Sequence, residues 1–458
     1  MAQTTRRGES RGLIVGLVLA VTAFAFDGLS VTAAMPAIVR DLHGVHLYGA
    51  AFSAYMLANV FSLAISGPVA DRHGPRPVLV AGLAVFGAGL VVGGAAPSMV
   101  VVVAGRAVQG LGAGTIGATA YVIIGRGFAP AARARLFAVL SAAWIVPGLV
   151  APGVAGVVAD RLSWRLVFFG LLPFPAIAAA LALPALRHFA PGHGAGDPIR
   201  PRVVAAARLT AGTALIVGGL GSIGHMAGVV LVVAGVVVAL PGIRALLPAG
   251  AARATPGLPA IIATRALINW SFFGTDAFVP LAVVAVRGRS NLTAGLALTT
   301  SSLAWSGAAW IQSKQSTRRS PRAVTAFGVV LIGLGVAVTA LVLSQRVPVG
   351  SAFLGWAIAG AGMGFAFNTT SVAALDEAPS GSEGTTSSAL QVADALGIAI
   401  STGVGGAILA LASNDRGSTS AATLAVVFAV TGAAVVPALL ASRGIAAVPH
   451  PRAPAPAD

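Results

Sequence analysis

The sequence predicts an all-α polytopic membrane protein built as two six-helix halves with a two-helix insertion between them. Three observations predict it: an apolar composition, a series of apolar runs of crossing length, and basic residues gathered at alternate ends of those runs. Of 458 residues, 57% are hydrophobic and 9% are charged, and 58 glycines bring the apolar-plus-glycine share to roughly 70%. A water-facing surface needs about a quarter to a third of its residues charged, so a soluble globular protein is excluded and most of this surface faces a lipid bilayer. One crossing takes about 20 apolar residues, and the chain has enough for a dozen or more.

Taken in order, the apolar runs fall at 12–38, 47–70, 77–96, 98–126, 132–158 and 165–186. They make an N-terminal half over 1–190. The run after the basic Met1–Arg11 segment lasts about 26 residues and ends in no small-residue cleavage pattern, so it reads as a first membrane helix rather than a removable signal. A linker over 191–256 carries Asp197, Arg200 and Arg202, then a weak run at 209–221 and a strong one at 225–243. The C-terminal half over 257–445 has runs at 258–286, 292–313, 323–344, 348–375, 384–411 and 420–442, and 446–458 reads as a disordered tail.

Parity constrains the inserted pair. A single extra crossing would put Lys314, Arg318, Arg319 and Arg322 on the side opposite the other basic loops, so both runs cross, giving fourteen, or neither does, giving twelve. With both crossing, 20 basic residues lie in segments on the side of the termini and 7 on the other side, which predicts cytoplasmic termini in a plasma (inner) membrane. A nucleic-acid partner is not expected from the net charge of +16, because the arginines stand singly between apolar runs. Two equal halves suit a transporter made of repeats with its substrate site between them. Sequence repetition is weak: the segment at Ser306 shares with the loop at Gly67 only a glycine and a basic cluster, so hydropathy and topology carry the repeat.

Acids inside the membrane are the most informative residues. Asp27, Asp276 and Asp394 lie well within predicted crossings, ~15–22 Å deep at 1.5 Å rise per residue. Burial favours the neutral form of a carboxylate, so such groups can load and release protons as solvent access alternates. The alternative for each is an acid held by an arginine or by polar helix neighbours for packing alone. Arg106, inside the fourth helix, must face a wet cavity or a carboxylate. In the C-terminal half Asn269, Trp270, Trp305, Asn368 and Gln391 are candidates to line a substrate cavity, whereas Trp164, Trp310 and Trp356, near predicted helix ends, read as interfacial anchors. No metal site is expected: His43 and His46 share a short turn without a third ligand.

Several motifs resemble a known family. The loop GPVADRHGPRP, with Gly67, Asp71, Arg72, Gly74 and Arg76, resembles the loop signature of the major facilitator superfamily, except that Pro75 replaces a basic residue. RAVQGLGAG from Arg106 resembles its fourth-helix motif. VPGLVAPGVAG, with Pro147, Gly148, Pro152, Gly153 and Gly156, resembles the exporter motif of the fifth helix in a degenerate form, with Ala151 and Ala155 where glycines are usual. FDGLSVTAAMPAI from Phe26 and SWRLVFF from Ser163 are similar to segments of the drug:proton antiporter branches.

The resemblance implies a proton-coupled exporter of small, rather apolar or cationic compounds that works by alternating access. It would act as a monomer, be driven by the proton gradient and need no cofactor. The loop at Asp71 would be the gate latch, the fifth-helix motif a hinge, and Asp27 the first choice among the coupling groups Asp27, Arg106, Asp276 and Asp394. A nutrient importer on the same fold would need more hydrogen-bonding cavity residues than this alanine- and valine-rich chain offers. A membrane-embedded enzyme would need a nucleophile–base or metal constellation, and the chain has no cysteine.

Overall fold

The computed structural model describes residues 2–128, 132, 135–136, 139–140, 142–189, 199–223, 225–315, 319–379, 383–412 and 419–447. His193, Asp197, Arg318 and most of the 446–458 tail therefore lie outside the described residues.

The N-terminal half comprises α1 (Ala2–Leu42), α2 (Tyr48–His73), α3 (Pro75–Gly94), α4 (Met99–Gly127), α5 (Ile145–Arg161) and α6 (Arg165–Ala182). The insertion is α7 (Ile199–Leu220) and α8 (Met226–Leu246). The C-terminal half comprises α9 (Leu258–Val286), α10 (Asn291–Gln315), α11 (Pro321–Ala340), α12 (Gly350–Asp376), α13 (Glu383–Ala412) and α14 (Ala421–Ser442). Local chemistry sets several of these boundaries. Gly74 turns at φ +86° between α2 and α3, and Pro75 then fits the first turn of α3, where its missing N–H is no loss. Ser420 caps α14 by accepting from the Thr423 amide at 3.0 Å.

Twelve helices among the described residues are long and apolar enough to cross a membrane. The number equals that of the twelve-crossing alternative, but its membership differs, because both inserted helices belong to it. The two long helices outside it are α5, 17 residues in its described length, and α10, whose run of Thr299, Thr300, Ser301 and Ser302 dilutes its apolar character.

The insertion packs as an antiparallel pair in which Gly212 lies against Gly235 and Ala239, and Gly219 against Gly228. It covers the seam between α2 and α13: Leu209 and Ala239 share an apolar cluster with Val60, Val392 and Leu396, and the Thr210 hydroxyl donates to the Leu57 carbonyl. Its outer face, with Val229, Val233, Val236 and Val237, is exposed.

The two halves repeat one packing scheme. In each, the second and third helices pack on the fourth, and the first helix packs on the fifth and sixth. The repeat is also legible in the residues, which corrects the expectation of weak sequence repetition: Gly105, Gly110, Gly112 and Gly114 of α4 return 250 positions later as Gly355, Gly360, Gly362 and Gly364 of α12. The partners return with them. A Cβ on Gly110 would strike the Tyr55 carbonyl of α2, and one on Gly360 would strike the Ser301 carbonyl of α10. Small residues at these positions let helix backbones touch, and van der Waals contact is what holds helices together where lipid removes the hydrophobic drive.

Hydrogen bonds join the halves toward the end opposite the basic loops. Tyr48 Oη donates to the Ala277 carbonyl at 2.7 Å, and Ser53 Oγ donates to the Ala399 carbonyl at 2.9 Å. Asp160, at the end of α5, accepts from the Asn291 amide at 3.1 Å, the Leu292 amide at 2.9 Å and Asn291 Nδ2 at 2.6 Å. It thus caps α10, where an anion meets unpaired amides and the positive end of the helix dipole.

Candidate functional site

Burying apolar helix faces carries the three membrane acids to the interior, and each meets a different partner. Asp27 of α1 is fully buried and pairs with Arg106 of α4, whose Nη1 lies 2.6 Å from Oδ2. The same Nη1 donates to Gln109 Oε1 at 2.9 Å, and the guanidinium lies 4.1 Å from the centroid of the Tyr55 ring. Asp27 Oδ1, Arg106 Nε and Gln109 Nε2 are buried without a hydrogen-bond partner among the described residues. The demand that Arg106 face a carboxylate is thereby met, though the pair is incompletely satisfied.

Asp394 of α13 pairs with Arg265 of α9, an arginine that the sequence places inside a helix but assigns no role. Arg265 Nε donates to Asp394 Oδ1 at 2.8 Å, and its Nη2 bonds Asp394 Oδ2. Nη1 donates to the Phe367 carbonyl at 3.0 Å and to Ser371 Oγ at 2.6 Å, and the guanidinium stacks 3.4 Å from the Phe367 ring centroid. Asn269, one turn along α9, donates to Asp394 Oδ1 at 2.8 Å, so it braces this pair. From the other half, Tyr121 of α4 comes within electrostatic reach of Arg265 and Asp394. Tyr121 does not stand out in the sequence, because tyrosine toward a helix end is ordinary in membrane proteins, and the partner of Arg265 depends on helix rotations that the sequence leaves open.

Asp276 has no cation within ion-pair distance among the described residues; it accepts one hydrogen bond, from Trp356 Nε1 at 2.8 Å. Trp356 is fully buried, which corrects its reading as an interfacial anchor, and it stacks on Phe272 at 4.9 Å. Trp164 is likewise buried and donates to Asp41 Oδ2 at 2.8 Å, whereas Trp310 is exposed beneath Lys314 as an anchor should be. The first α-helical stretch of α9 ends at Asp276, α-helix resumes over Val279–Leu281, and the helix closes as a π-turn over Ala282–Val286. Such irregularities in membrane helices recur at functional positions.

Trp305 is half-buried and ties the C-terminal sites together, with rings at 5.6 Å from Phe272, 6.2 Å from Phe273 and 5.4 Å from Phe367. Asn368 is half-buried beside Phe367, and Gln391 is half-buried one turn before Asp394 with its amide on its own helix at Ser387. The Trp270 indole nitrogen is buried without a hydrogen-bond partner among the described residues.

In the last turn of α2, Asp71 is exposed and faces Arg126, at the end of α4 in the same half, across 3.6 Å. A Cβ on Gly67 would meet open space. In the fifth-helix segment Pro147, Gly148, Pro152 and Gly156 are buried and Gly153 is half-buried, and this face meets α10. Gly156 lies against the Asn291 backbone, and Gly295 of α10 against the Pro152 carbonyl.

Helix bundles of this repeat pattern, with acids and arginines buried among the helices of each half, define a class: secondary transporters of the membrane. The family model of the Major Facilitator Superfamily matches residues 15–402, and the chain belongs to that superfamily. The probable multidrug-efflux transporter Rv1634 of Mycobacterium tuberculosis (strain ATCC 25618 / H37Rv) is 28% identical over 426 residues, 87% of this chain and 88% of that protein. The multidrug transporter protein MdtP of Bacillus subtilis (strain 168) is 34% identical over 178 residues, 39% of this chain and about a third (33%) of its own length. Among solved structures, a bacterial homologue of the human lysosomal transporter Spinster, inward-facing and unoccupied, superposes with a TM-score of 0.68 at 15% identity. That match covers 95% of this chain and 97% of the other, and it speaks for the fold alone.

Proposed function

We propose that this transporter exports small, apolar or cationic compounds in exchange for protons, by rocking its two halves about the space between them. The observation that carries the reading is the set of three carboxylates deep in a bundle otherwise lined with apolar and aromatic side chains, Asp27 and Asp276 buried and Asp394 partly buried. Groups of this kind are costly in a membrane and are retained where they move ions or protons. The aromatic group of Phe272, Phe273, Trp305 and Phe367 beside Asp394 suits flat or lipophilic compounds, including cations held over ring faces. Efflux named in relatives at modest identity agrees with this reading.

In the same proposal the termini and basic loops face the cytoplasm of the plasma membrane. The joints at Tyr48, Ser53 and Asp160 then close the outer side, and the Asp71–Arg126 contact belongs to the inner gate. Asp160 would hold α5 to α10 in this state and release it in the other, as a charge-based latch.

The test is transport in inverted vesicles with an imposed pH gradient, using a lipophilic cation, a neutral apolar drug and a sugar in parallel. Gradient-dependent accumulation of the cation or the drug is expected. Accumulation of the sugar alone, or uptake that ignores the gradient, would overturn the proposal.

A further inference from the structure

The repeat between the halves pairs more than glycines. Asp27 lies on the first helix of its half and is held by Arg106 of the fourth helix. Asp276 lies on the first helix of the other half, 249 positions later, and is held by Trp356 of the fourth helix, 250 positions after Arg106. The flanking Gly105 and Gly355, and the Gly110–Tyr55 and Gly360–Ser301 contacts, fix the register of this correspondence. Asp276–Trp356 is therefore the counterpart of Asp27–Arg106 with the cation exchanged for a neutral indole.

We infer that Asp276 is the carboxylate that takes up and gives up the coupled proton, and that Trp356 is the positioning residue that leaves it free to do so. This rests on the proton-coupled reading above and names the group that performs it. Charge distinguishes the three acids. Protonating Asp27 would strand the Arg106 guanidinium, and protonating Asp394 would strand Arg265; each leaves a buried charge unpaired, which is strongly unfavourable. Protonating Asp276 strands nothing. The Trp356 N–H can keep its bond to Oδ1 whether Oδ2 is ionised or carries the proton, so both states are tolerated at one geometry. The proton comes from water on one side and returns to water on the other, with no bond broken in the protein.

The first-helix resemblance puts Asp27 first among the acids, and the partners reverse that order. Asp276 also stands where its charge state can be felt by the whole fold. It stands at the break in α9 before α-helix resumes at Val279, and the next residue, Ala277, accepts the Tyr48 hydroxyl that joins the halves. Tyr48 is the titratable group facing it from α2, and Trp356 faces it from α12.

The test reads the proton directly. In reconstituted protein, infrared difference spectra between acidic and alkaline buffer are expected to show the carbonyl-stretch band of a buried protonated carboxylic acid. The band is expected to vanish in Asp276→Asn and to persist in Trp356→Phe, which removes the hydrogen bond but adds no cation. In Trp356→Arg, which recreates the pair of the N-terminal half, it is expected to be lost with the carboxylate held ionised. Asp276→Asn is near-isosteric and is checked by gel filtration, so the conclusion does not depend on Trp356→Arg folding. A band of wild-type size in Asp276→Asn overturns the inference. A titrating band in the wild type, lost in Asp276→Asn, with no gradient-driven transport in vesicles would instead overturn the transport reading and leave the assignment of the protonating group standing.

Discussion

The two buried ion pairs are chemically alike and structurally unlike. Each Arg265 nitrogen finds a partner in Asp394, Ser371 or the Phe367 carbonyl, and Asn269 braces the acid, although Asn269 Oδ1 is itself buried without a partner among the described residues. Arg106 holds Asp27 through one nitrogen, shares that nitrogen with Gln109, and leaves polar atoms on all three residues unpartnered. A network with one orphaned atom holds its helices more firmly than one with three, which is cheaper to rearrange. The difference teaches that α9, α12 and α13 are bound together as a rigid unit by charge, while α1 and α4 are joined by a contact able to change partners.

Removing one member of each pair gives the largest expected effects. Arg265→Gln leaves Asp394 buried and unpaired, and a loss of about 3–5 kcal/mol is expected, read as poor expression and early thermal unfolding in detergent. The double variants sharpen the contrast. Asp27→Asn with Arg106→Gln removes both charges and is expected to unfold within about 1 kcal/mol of wild type. Arg265→Gln with Asp394→Asn forfeits the Ser371 and Phe367 bonds as well and should stay about 1–3 kcal/mol below it. Equal recovery in the two halves would erase the distinction.

The cross-half joint comes next. Asp160→Asn keeps the shape of the α10 cap but removes its charge, a change of about 0.5–2 kcal/mol. The balance between states should therefore move about 2- to 30-fold toward opening at that end. The rate at which an impermeant thiol reagent labels a cysteine placed at Ser302, which lies against Gly148 in the joint, is the measure. The smallest effect on stability belongs to Asp71→Asn, because an exposed pair at 3.6 Å is worth about 0–1 kcal/mol. Transport rate should fall while equilibrium binding of a lipophilic cation holds. A large loss of binding with an unchanged rate would contradict a latch role.

Much of this architecture was legible in the sequence, since run length and composition suffice where lipid is the solvent. The three acids were legible for the same reason: a carboxylate amid twenty apolar residues is too costly to persist without a partner or a task. Their partners were not legible. Which face of α9 meets α13, and so that Arg265 would find Asp394, depends on helix rotations that hydropathy leaves free. Trp356 misled because a tryptophan within two turns of a helix end looks interfacial, and its burial comes from the packing, with its ring on Phe272 and its N–H on Asp276. The glycine repeat between α4 and α12 was present in the letters, but it lies in the fourth helices, whereas the loops after the second helices share only a glycine and a basic cluster.

Coupling requires that protonation drive the halves to open at one end as they close at the other. The cysteine-free chain allows spin labels on exposed positions of the two halves at each end, His46 with Arg289 at one and His73 with Arg322 at the other. Distances between them, measured in lipid nanodiscs in acidic and alkaline buffer, are predicted to change in opposite directions. Two distances that stay fixed, or that grow and shrink together, would contradict proton-driven alternating access.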